Sequence, residues 1–398
     1  MRKRGTILLI VLCLGAISMA QNPIKDLTRE ILSNNLVLQA LEIENQVKLL
    51  QDKGELYPDD PEISYAHLWG SPAIIGNKTG LNANQRIKFP TYYSKKKKRN
   101  ELSADQYTTQ LELEINHVIF DALDIMIDLA SLSKRKAMLT DRLTRVQQIH
   151  DMAERKFQLG EANKIELEKA KLLTDTYRQD FLLLESEERI LYLHLQRLNA
   201  DKAVSVQSLE YEDLATLFSS VNGKQALEGN PVVEIAEMNT LLAEADIKLA
   251  KTNLLPDVIV GYTSEAINDE KLAGIQMGIS IPLWGKSNLI NRAKLKKDLS
   301  DKNLALTNQL VQNDWDRYDE MAKQSKEIKN NLEASLNSMK SKYLLEKSWE
   351  LGEISLLDYL KELPFFYSVE DRTVEAELQY HKSILNKNQH HLLEMIMN

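Results

Sequence analysis

Three histidines near the C-terminus, His381, His390 and His391, are the residues of this chain whose type first suggests metal chemistry. Imidazole nitrogens bind transition metals when they converge on one point. Adjacent residues of a helix point to different faces, so His390 and His391 form a poor chelate. A structural or disordered tail explains them better. The sequence therefore predicts no metal, no cofactor and no catalytic residue, and a metal-dependent enzyme has no supporting ligand cluster.

Three aspartates form the most regular acidic pattern in the chain. Asp121, Asp124 and Asp128 recur at positions i, i+3 and i+7, so they would share one face of a helix. Such a face has two interpretations. It can line an acidic bore filled with water, or it can be an ordinary solvated outer face, and the sequence leaves both open.

Basic residues cluster in two segments, each of which follows a stretch with strand character. The first segment is Lys95 to Arg99, and the second contains Lys286, Arg292, Lys294, Lys296 and Lys297. Aromatic rings with flanking cations are typical of the headgroup layer of a membrane. We therefore predict a membrane interface here, with a generic solvated face as the alternative. The predicted interface residues are Tyr92, Tyr93, Trp284, Lys95, Lys96 and Lys286.

The first twenty residues have the composition of a secretory signal. Arg2 to Arg4 are basic, Ile7 to Ile17 form a short apolar run, and Ser18 to Ala20 form a small-x-small cleavage site. A retained anchor helix is disfavoured because the run is too short to span a bilayer. We therefore predict a signal peptide at residues 1–20.

Export would change the charge and the thiol content of the chain. Removal of the signal peptide takes away three basic residues, so the mature chain would have 47 Lys and Arg against 58 Asp and Glu, a net charge of −11. The only cysteine, Cys13, leaves with the signal, so no disulfide is expected. An acidic exported chain is a poor candidate for nucleic-acid binding. The most apolar later window, residues 118–132, contains three aspartates and is not a transmembrane helix.

Long elements are expected from the composition, because 398 residues contain only 14 Gly and 9 Pro. One pattern occurs twice: Leu-Gly-Glu turns centred on Gly160 and Gly352 are 192 positions apart, and Pro90 and Pro282 have the same separation. Such self-similarity indicates an internal tandem repeat. We predict a first repeat at 21–205, a connector at 206–221 and a second repeat at 222–398.

Period-2 alternation of apolar and polar residues predicts one β-hairpin in each repeat, at about 61–90 and 256–282. Four strands of about ten residues have the length of membrane-spanning strands. Open sheet edges cannot lie in lipid. If these strands lie in a membrane, the chain must therefore form an oligomer to close a barrel.

The helical segments carry apolar residues at heptad spacing. One seam is Leu111, Ile115, Val118, Ala122, Ile125, Leu129 and Leu132, and a second is Ile119, Leu123, Met126 and Ala130. Two adjacent seams indicate a helix with neighbours on both flanks. Pro90 and Pro282 are expected to begin long helices, and Gly160 and Gly352 to end them in the left-handed conformation. A helix from Pro90 to Gly160 would be about 100 Å long.

An export signal, a doubled pattern, strand-Pro-helix junctions and a helix-Leu-Gly-Glu-helix turn in each half resemble the TolC family of outer-membrane efflux channels. The length and the absence of a lipid-anchor cysteine look most like the heavy-metal efflux branch. The resemblance implies a mainly α fold with a small β part. Long helical hairpins would form a periplasmic α-barrel, and four strands per chain would contribute to a twelve-stranded outer-membrane β-barrel in a homotrimer.

The resemblance also implies a function. The chain would be a passive exit duct across the periplasm and outer membrane of a Gram-negative bacterium, and not an enzyme. Its partners would be a periplasmic adaptor (membrane fusion) protein, an inner-membrane pump of the RND type and outer-membrane lipid. The cargo would be metal cations or drugs delivered by the pump. A periplasmic coiled-coil adaptor or scaffold without a pore is the alternative.

Site residues follow from the same resemblance. The family has carboxylates just after the second turn at the narrow end of its tunnel, which places a pore constriction at Asp358, Lys361 and Glu166. Lys361 departs from the acidic pattern, and a solvated helix face is the alternative for all three. The predicted adaptor contacts are the turn residues Leu159, Gly160, Glu161, Leu351, Gly352 and Glu353.

Overall fold

The computed structural model describes residues 23–72, 74, 76–204, 211, 226–267, 270–282, 288–338 and 341–397. The predicted signal peptide and most of the predicted connector lie outside these ranges, as do Trp284 and Lys286. Among the described residues, no helix has a stretch long and apolar enough to cross a lipid bilayer.

Helices dominate the described chain. Those of the first half are α1 (Pro23–Asn34), α2 (Leu36–Gly54), α3 (Pro90–Gln158) and α4 (Lys164–Leu198). Those of the second half are α5 (Pro231–Thr252), α6 (Leu289–Ser338), α7 (Ser341–Glu350), α8 (Leu356–Lys387) and α9 (Leu392–Met397). The strands are β1 (Glu62–Leu68), β2 (Lys78–Ile87), β3 (Asp257–Ile267) and β4 (Glu270–Ser280).

The chain divides into two compact units. The helical unit comprises Met1–Gln39, Glu114–Glu228 and Val311–Asn398, and the sheet unit comprises Ala40–Leu113 and Gly229–Leu310. Each unit takes segments from both halves of the sequence, so the units do not coincide with the repeats predicted at 21–205 and 222–398. The tandem repeat itself stays a prediction.

The sheet unit contains one antiparallel sheet with strand order β1-β2-β3-β4. The four predicted strands are therefore confirmed. Pairing of β2 with β3, from Lys78↔Ile267 to Ile87↔Val258, joins the two hairpins into one sheet. Within the described residues, β1 and β4 each pair on one side only, so the sheet has two open edges.

The first long helix agrees with its prediction. α3 begins at Pro90 and contains 69 residues. Both predicted seams are buried or half-buried along its length, and Ile119, Ala122 and Met126 are fully buried. A period of 3.5 residues keeps such seams against neighbouring helices, and this explains the burial.

The second long helix was predicted to run from Pro282 to Gly352, and it begins later. β4 ends at Ser280, Pro282 lies in no helix, and α6 begins at Leu289. The described helical residues from there to Glu350 are α6, with 50 residues, and α7, with 10. Residues 283–287 and 339–340 lie outside the described part of the chain.

Candidate functional site

One face of the sheet is apolar and exposed. Cross-strand rows on this face include Ala83, Tyr262 and Ile275 in one row and Ile87, Val258 and Ile279 in another. Ile275 is 81% exposed and Met277, the next residue along on this face of β4, is 77% exposed. A continuous exposed apolar surface of this kind marks an interaction with lipid or with another protein.

One polar residue within this face has a partner in the chain. Gln85, which the sequence places among apolar neighbours, pairs across the sheet with Val260. Its side-chain amide donates a hydrogen bond to the backbone carbonyl oxygen of Asp59. The amide is therefore satisfied by the chain itself, so the apolar face tolerates it.

The opposite face of the sheet is polar. Ser64, Asn82 and Thr263 lie in one cross-strand row, and Thr263 Oγ1 donates a hydrogen bond to Asn82 Oδ1 at 2.6 Å. In the next row, the Asn84 side chain lies over Gly261, where an added Cβ would collide with it. The sheet thus separates an apolar face from a polar one, and strands of membrane-spanning barrels have the same alternation.

The first Leu-Gly-Glu turn has the predicted backbone. Gly160 has φ +76°, in the left-handed region that glycine adopts without a Cβ penalty. Its N–H donates to the Phe157 carbonyl at 3.0 Å, and the Glu161 N–H donates to the Lys156 carbonyl at 2.8 Å. This pair of hydrogen bonds is the Schellman motif, which satisfies the last carbonyls of a helix.

The second turn repeats the first. Gly352 also has φ +76°. Its N–H donates to the Trp349 carbonyl at 3.0 Å, and the Glu353 N–H donates to the Ser348 carbonyl at 2.8 Å. At both turns the leucine and the glutamate are exposed. An exposed leucine at the outermost point of two helical hairpins is available for a partner.

The two carboxylates predicted at a constriction occupy equivalent positions. Glu166 is the third residue of α4, and its side chain and the Asn163 side chain form a capping box around the helix start. Asp358 is the third residue of α8, and its carboxylate accepts a hydrogen bond from the Ser355 hydroxyl at 2.6 Å. The Glu166 carboxylate therefore caps its helix directly, whereas the Asp358 carboxylate binds the Ser355 hydroxyl that caps α8. This structural role was not part of the constriction prediction.

Lys361 lies on the same exposed face of α8 as Asp358, three residues further on. The opposite face of α8 is buried through Tyr359, Leu360 and Leu363. The structure thus places the acid and the base of the predicted constriction side by side on an exposed face of α8.

An aromatic cluster holds the helices next to the two turns. The Trp349 ring stacks on Tyr359 with centroids 4.9 Å apart, and Ile149, Ala170 and Leu363 belong to the same buried cluster. Residues of α3, α4, α7 and α8 therefore share one core beside the turns. This packing fixes where the exposed turn residues lie.

A buried arginine, Arg142, which the sequence analysis did not identify, binds α8 near this aromatic cluster. Arg142 of α3 donates to Asp371 at 3.0 Å, to Glu370 at 3.1 Å and to the Tyr367 carbonyl at 3.1 Å. Its guanidinium also lies 4.4 Å from the centroid of the Tyr367 ring. Burial opposes the charge of Arg142, but hydrogen bonds and charges of Asp371 and Glu370 outweigh it and raise the pKa of the guanidinium.

Further charged contacts of α8 continue along its length. The Glu377 carboxylate binds Lys134 at 2.6 Å and Lys329 at 2.9 Å. Burial acts to raise the pKa of Glu377, but the two lysines outweigh it and lower that pKa. Lys387 binds Asp319 at 2.5 Å and lies 4.3 Å from the Trp315 ring centroid.

The three regularly spaced aspartates separate into two environments. Lys382 of α8 binds Asp128 at 2.9 Å and Asp124 at 3.3 Å, whereas Asp121 is exposed. Burial raises the pKa of Asp124 even beside Lys382, while at Lys382 the two carboxylates outweigh burial and raise the pKa of the ammonium. Neither a bare acidic bore nor simple solvation describes Asp124 and Asp128, because a lysine neutralises part of their charge.

Four of the predicted membrane-interface residues, Tyr92, Tyr93, Lys95 and Lys96, lie at the start of α3. The rings of Tyr92 and Tyr93 meet edge to face with centroids 5.4 Å apart, and the Tyr93 hydroxyl accepts a hydrogen bond from the Lys88 N–H at 3.2 Å. Lys95 is exposed, whereas Lys96 forms an ion pair with Glu55. Pro282, the other predicted strand-helix junction, follows β4 by two residues.

The C-terminal histidines are parts of the packed structure. His381 is buried and stacks on Tyr211 with centroids 4.4 Å apart. His390 is largely buried, and burial, helped by His117 and His391, lowers its pKa to about 4. Among the described residues, no three His, Cys, Asp or Glu side chains are grouped to hold a metal ion.

No family model matches the sequence, and no curated protein matches it. Solved structures do match. The structure of CusC, described for its folding and transmembrane channel formation, has a TM-score of 0.79 at 15% identity and covers 95% of this chain and 94% of that one. The Campylobacter jejuni CmeC outer-membrane channel has a TM-score of 0.75 at 18% identity, covering 92% and 85%. The open state of the Neisseria gonorrhoeae MtrE outer-membrane channel has a TM-score of 0.68 at 12% identity, covering 94% and 93%.

The shared fold extends over nearly the whole chain in each comparison. At identities of 12–18% the similarity is one of architecture, with long helices and a four-stranded antiparallel sheet. The chain therefore has the fold of TolC-like outer-membrane channels, and the predicted fold class is confirmed.

Proposed function

We propose that this chain is the protomer of an outer-membrane channel, the passive exit duct of a tripartite efflux pump in a Gram-negative bacterium. The observation that carries the proposal is the two-faced sheet. Ile275 and Met277 belong to an exposed apolar face that lipid would cover, and Asn82 and Thr263 belong to a polar face that would line a passage filled with water. The similarity to outer-membrane channels supports the same location.

The open edges of the sheet support assembly as a homotrimer. Unpaired edge groups of β1 and β4 are unstable in lipid, where no water can satisfy them. Three copies would supply twelve strands, an even number of the kind found in closed outer-membrane barrels. Edge pairing between β4 of one copy and β1 of the next would satisfy every strand.

Exposed apolar stripes on two helices support the same assembly. On α6, Leu295, Leu299, Leu306 and Leu310 are exposed and fall on one face. On α4, the exposed apolar residues that fall on one face are Ile165, Leu172, Leu183 and Ile190. A helix in an isolated globular chain buries its apolar stripe. Adjacent copies of the chain would bury these stripes.

The helices would form the periplasmic part of the duct, and the two turns would meet a periplasmic adaptor protein. The contacts would be Leu159, Gly160, Glu161, Leu351, Gly352 and Glu353. Exposure of the two leucines, 73% for Leu159 and 64% for Leu351, supports this role. The adaptor would connect the duct to an inner-membrane pump of the RND type, which would choose the cargo, metal cations or drugs. A passive duct needs no catalytic residue.

Asp358, Lys361 and Glu166 would form the constriction near the turns. A carboxylate can cap a helix and also face a passage, because capping uses one of its two oxygens. Three copies of Asp358 around a threefold axis would repel one another, and a bound cation would relieve that repulsion. The neighbouring Lys361 would weaken the cation site, so block by cations would be modest.

A pore-free periplasmic adaptor or scaffold is the second candidate, and the sheet argues against it. A scaffold in water gains nothing from a sheet with one exposed apolar face and two open edges, and such a surface would promote aggregation.

The test is the location and conductance of the purified protein. We expect a heat-resistant oligomer in the outer-membrane fraction that conducts ions in planar bilayers. Cation block should weaken in Asp358→Asn, which removes the charge but keeps an oxygen at the capping position. Ser355→Ala removes the capping hydroxyl and keeps the carboxylate, so it should retain the block.

Two results would contradict these proposals separately. A stable monomer in buffer without detergent would exclude the channel. Channels in which Asp358→Asn and wild type show equal cation block would exclude the constriction at Asp358 and leave the channel intact.

A further inference from the structure

The chemistry of the chain changes in a fixed order where β2 leads into α3. The apolar face of the sheet ends with the row that contains Ile87 and Val258. The exposed ring of Phe89 follows, then Tyr92 and Tyr93, then the basic run at residues 95–99. This order matches the layers of a membrane. Apolar residues suit the hydrocarbon core, aromatic rings suit the interface, and ammonium groups suit the charged headgroups.

Two of the five cations in this run are held by the protein. Lys96 forms an ion pair with Glu55, and its side chain is only 12% exposed. Arg99 lies 3.3 Å from Asp246 and 3.9 Å from Asp52. These two cations face α2 and α5, and they neutralise the nearest carboxylates of the sheet unit.

The other three cations face outward. Lys95, Lys97 and Lys98 are exposed, and none of them has an ion pair within the described residues. At roughly 100° per residue, Lys98 points directly away from the side of α3 that Lys96 and Asn100 occupy. Lys95 and Lys97 lie on either side of Lys98, so three ammonium groups cover the outward half of the helix.

The three lysines lie at a height along α3 from which they can reach the lipid headgroups. With a rise of about 1.5 Å per residue, these lysines lie no more than about 12 Å along the helix from Pro90. The headgroup layer is about 5–8 Å thick on each side of the bilayer, and electrostatic attraction extends about 8–10 Å beyond it. An extended lysine side chain can span the distance that remains between the helix backbone and the headgroups.

We propose that Lys95, Lys97 and Lys98 bind the headgroups of anionic phospholipids in the membrane leaflet from which α3 emerges. The inference rests on the proposed membrane location of the sheet, and it adds a lipid class and three residues to it. The exposed apolar face beside these lysines favours a lipid over a soluble anion, because only a lipid can occupy both surfaces. The net negative charge of the whole chain argues against nucleic acid.

The test compares lipid retention by the assembled protein in detergent. Native mass spectrometry would count the phosphatidylglycerol and phosphatidylethanolamine molecules that remain bound from an equal mixture with identical acyl chains. Each lysine near an anionic surface strengthens the attraction roughly fivefold. The triple variant Lys95→Gln/Lys97→Gln/Lys98→Gln should therefore lose on the order of 100-fold of the wild-type preference for phosphatidylglycerol.

Two controls separate a site from bulk charge. Lys164, Lys169 and Lys171 are exposed on α4, and their triple exchange to Gln removes the same charge but should leave the preference unchanged. Within the run itself, Lys98→Gln should lower the preference, whereas Lys96→Gln should not, because Lys96 already binds Glu55.

Three results would overturn the site. Equal retention of both lipids by the wild type, equal loss in the two triple variants, or complete displacement of phosphatidylglycerol by inorganic phosphate would each do so. Conductance of the same preparation keeps this outcome separate from the proposed function. A conducting channel without lipid preference refutes the site alone, and a protein that does not insert into membranes refutes the channel.

Discussion

At the residue scale, Asp358 and Glu166 have a structural role beside the role proposed for them in the constriction. Each is the third residue of a helix that starts just after a glycine turn, and each carboxylate takes part in the hydrogen bonds at the start of that helix. Their polar partners, Ser355 and Asn163, satisfy backbone N–H groups that would otherwise lack a bond. In the proposed channel, the hydrogen bonds that begin each helix would also hold the charge at the constriction in a defined position.

Gly261 offers a test of the polar face of the sheet. A Cβ at this position would lie 2.8 Å from the Ala83 carbonyl oxygen and would collide with the Asn84 side chain. Gly261→Ala should therefore displace β2 from β3 and lower the free energy of unfolding by about 1–3 kcal/mol. Thermal unfolding in detergent measures the change. Gly274→Ala, in the next strand on the same face, meets nothing within 4 Å and should be close to wild type. Equal destabilisation by both would refute the close approach of Asn84.

His390 predicts a pH dependence of stability. Its pKa in the folded protein is about 4, lowered from 6.5 by burial and by His117 and His391, while Asp314 acts in the opposite direction. Below pH 6.5 the unfolded chain binds the proton before the folded chain does, so stability falls as the pH falls from about 6.5 to about 4. The total loss is on the order of 3 kcal/mol.

Urea unfolding in detergent at several pH values measures this slope. His390→Gln removes the titrating group and should flatten the profile between pH 6.5 and 4. His194→Gln, at an exposed position of α4, controls for the loss of an imidazole and should keep the wild-type profile. An unchanged slope in His390→Gln would assign the acid sensitivity to other groups.

At the scale of the elements, α8 is fixed against its neighbours by charged contacts along one side. Arg142 of α3 binds α8 near Asp371, Lys134 and Lys329 bind Glu377, and Lys382 binds back to α3. Apolar seams alone allow helices to slide by a heptad, because each register buries similar side chains. Charged partners at defined heights allow one register only.

Arg142 is the contact whose loss should matter most. Replacement by Met keeps the length of the side chain but removes the hydrogen bonds that Arg142 donates to Glu370, Asp371 and the Tyr367 carbonyl. We expect a loss of about 2 kcal/mol, below the usual 3–5 for a buried pair because Asp371 is more than half exposed. Chemical unfolding measures it. Arg178→Met removes an exposed ion pair with Asp175 and should cost less than about 0.5 kcal/mol. If both changes cost the same, the buried contact is not a stabilising one.

Features of these helices that depend on interactions between residues close together in the sequence could be predicted, and features that depend on distant residues could not. The seams around Ile119 and Met126, the start of α3 at Pro90 and the glycine turns were predicted, because each depends on local periodicity or backbone preference. The helix caps have a local signal as well, in Asn163 with Glu166 and in Ser355 with Asp358, and the sequence reasoning missed it.

The ion pairs between α8 and its neighbouring helices could not be predicted from the sequence. Arg142 occupies the heptad position between the buried residues Leu139 and Val146, and a charge in an apolar seam is a signal of a buried partner. That partner, Asp371, is 229 residues away in the chain. Its identity depends on the register between two helices, which a single sequence does not contain.

At the scale of the whole molecule, the fold presents more apolar surface than a single chain can bury. The sheet face with Ile275 and the stripes on α4 and α6 are all exposed. In the proposed trimer, lipid covers the first and neighbouring copies cover the others. The stability of the chain and its assembly are therefore expected to be coupled.

Leu306→Asp tests the stripe on α6. The leucine is 53% exposed in the chain, so the charge should change the folding of one chain little. At an interface between copies the same charge would be buried without a partner, and the heat-resistant oligomer should be lost. Ala305→Asp adds the charge one position earlier, off the stripe, and should leave the oligomer intact. Gel mobility without boiling and sedimentation in detergent measure both. An intact oligomer in Leu306→Asp would place the interface elsewhere.

The pairing of β2 with β3 has a consequence for the order in which the chain acquires its structure. Roughly 170 residues separate the two strands, and closing a loop of that length costs about 4–5 kcal/mol in chain entropy if the intervening segment is unstructured. Early formation of the hairpin of α3 and α4 removes most of that cost. If the chain is exported as the proposed function requires, β2 pairs only with β1 until β3 has crossed the inner membrane. A partly exported chain would then expose the unpaired edge of β2 and would need a chaperone.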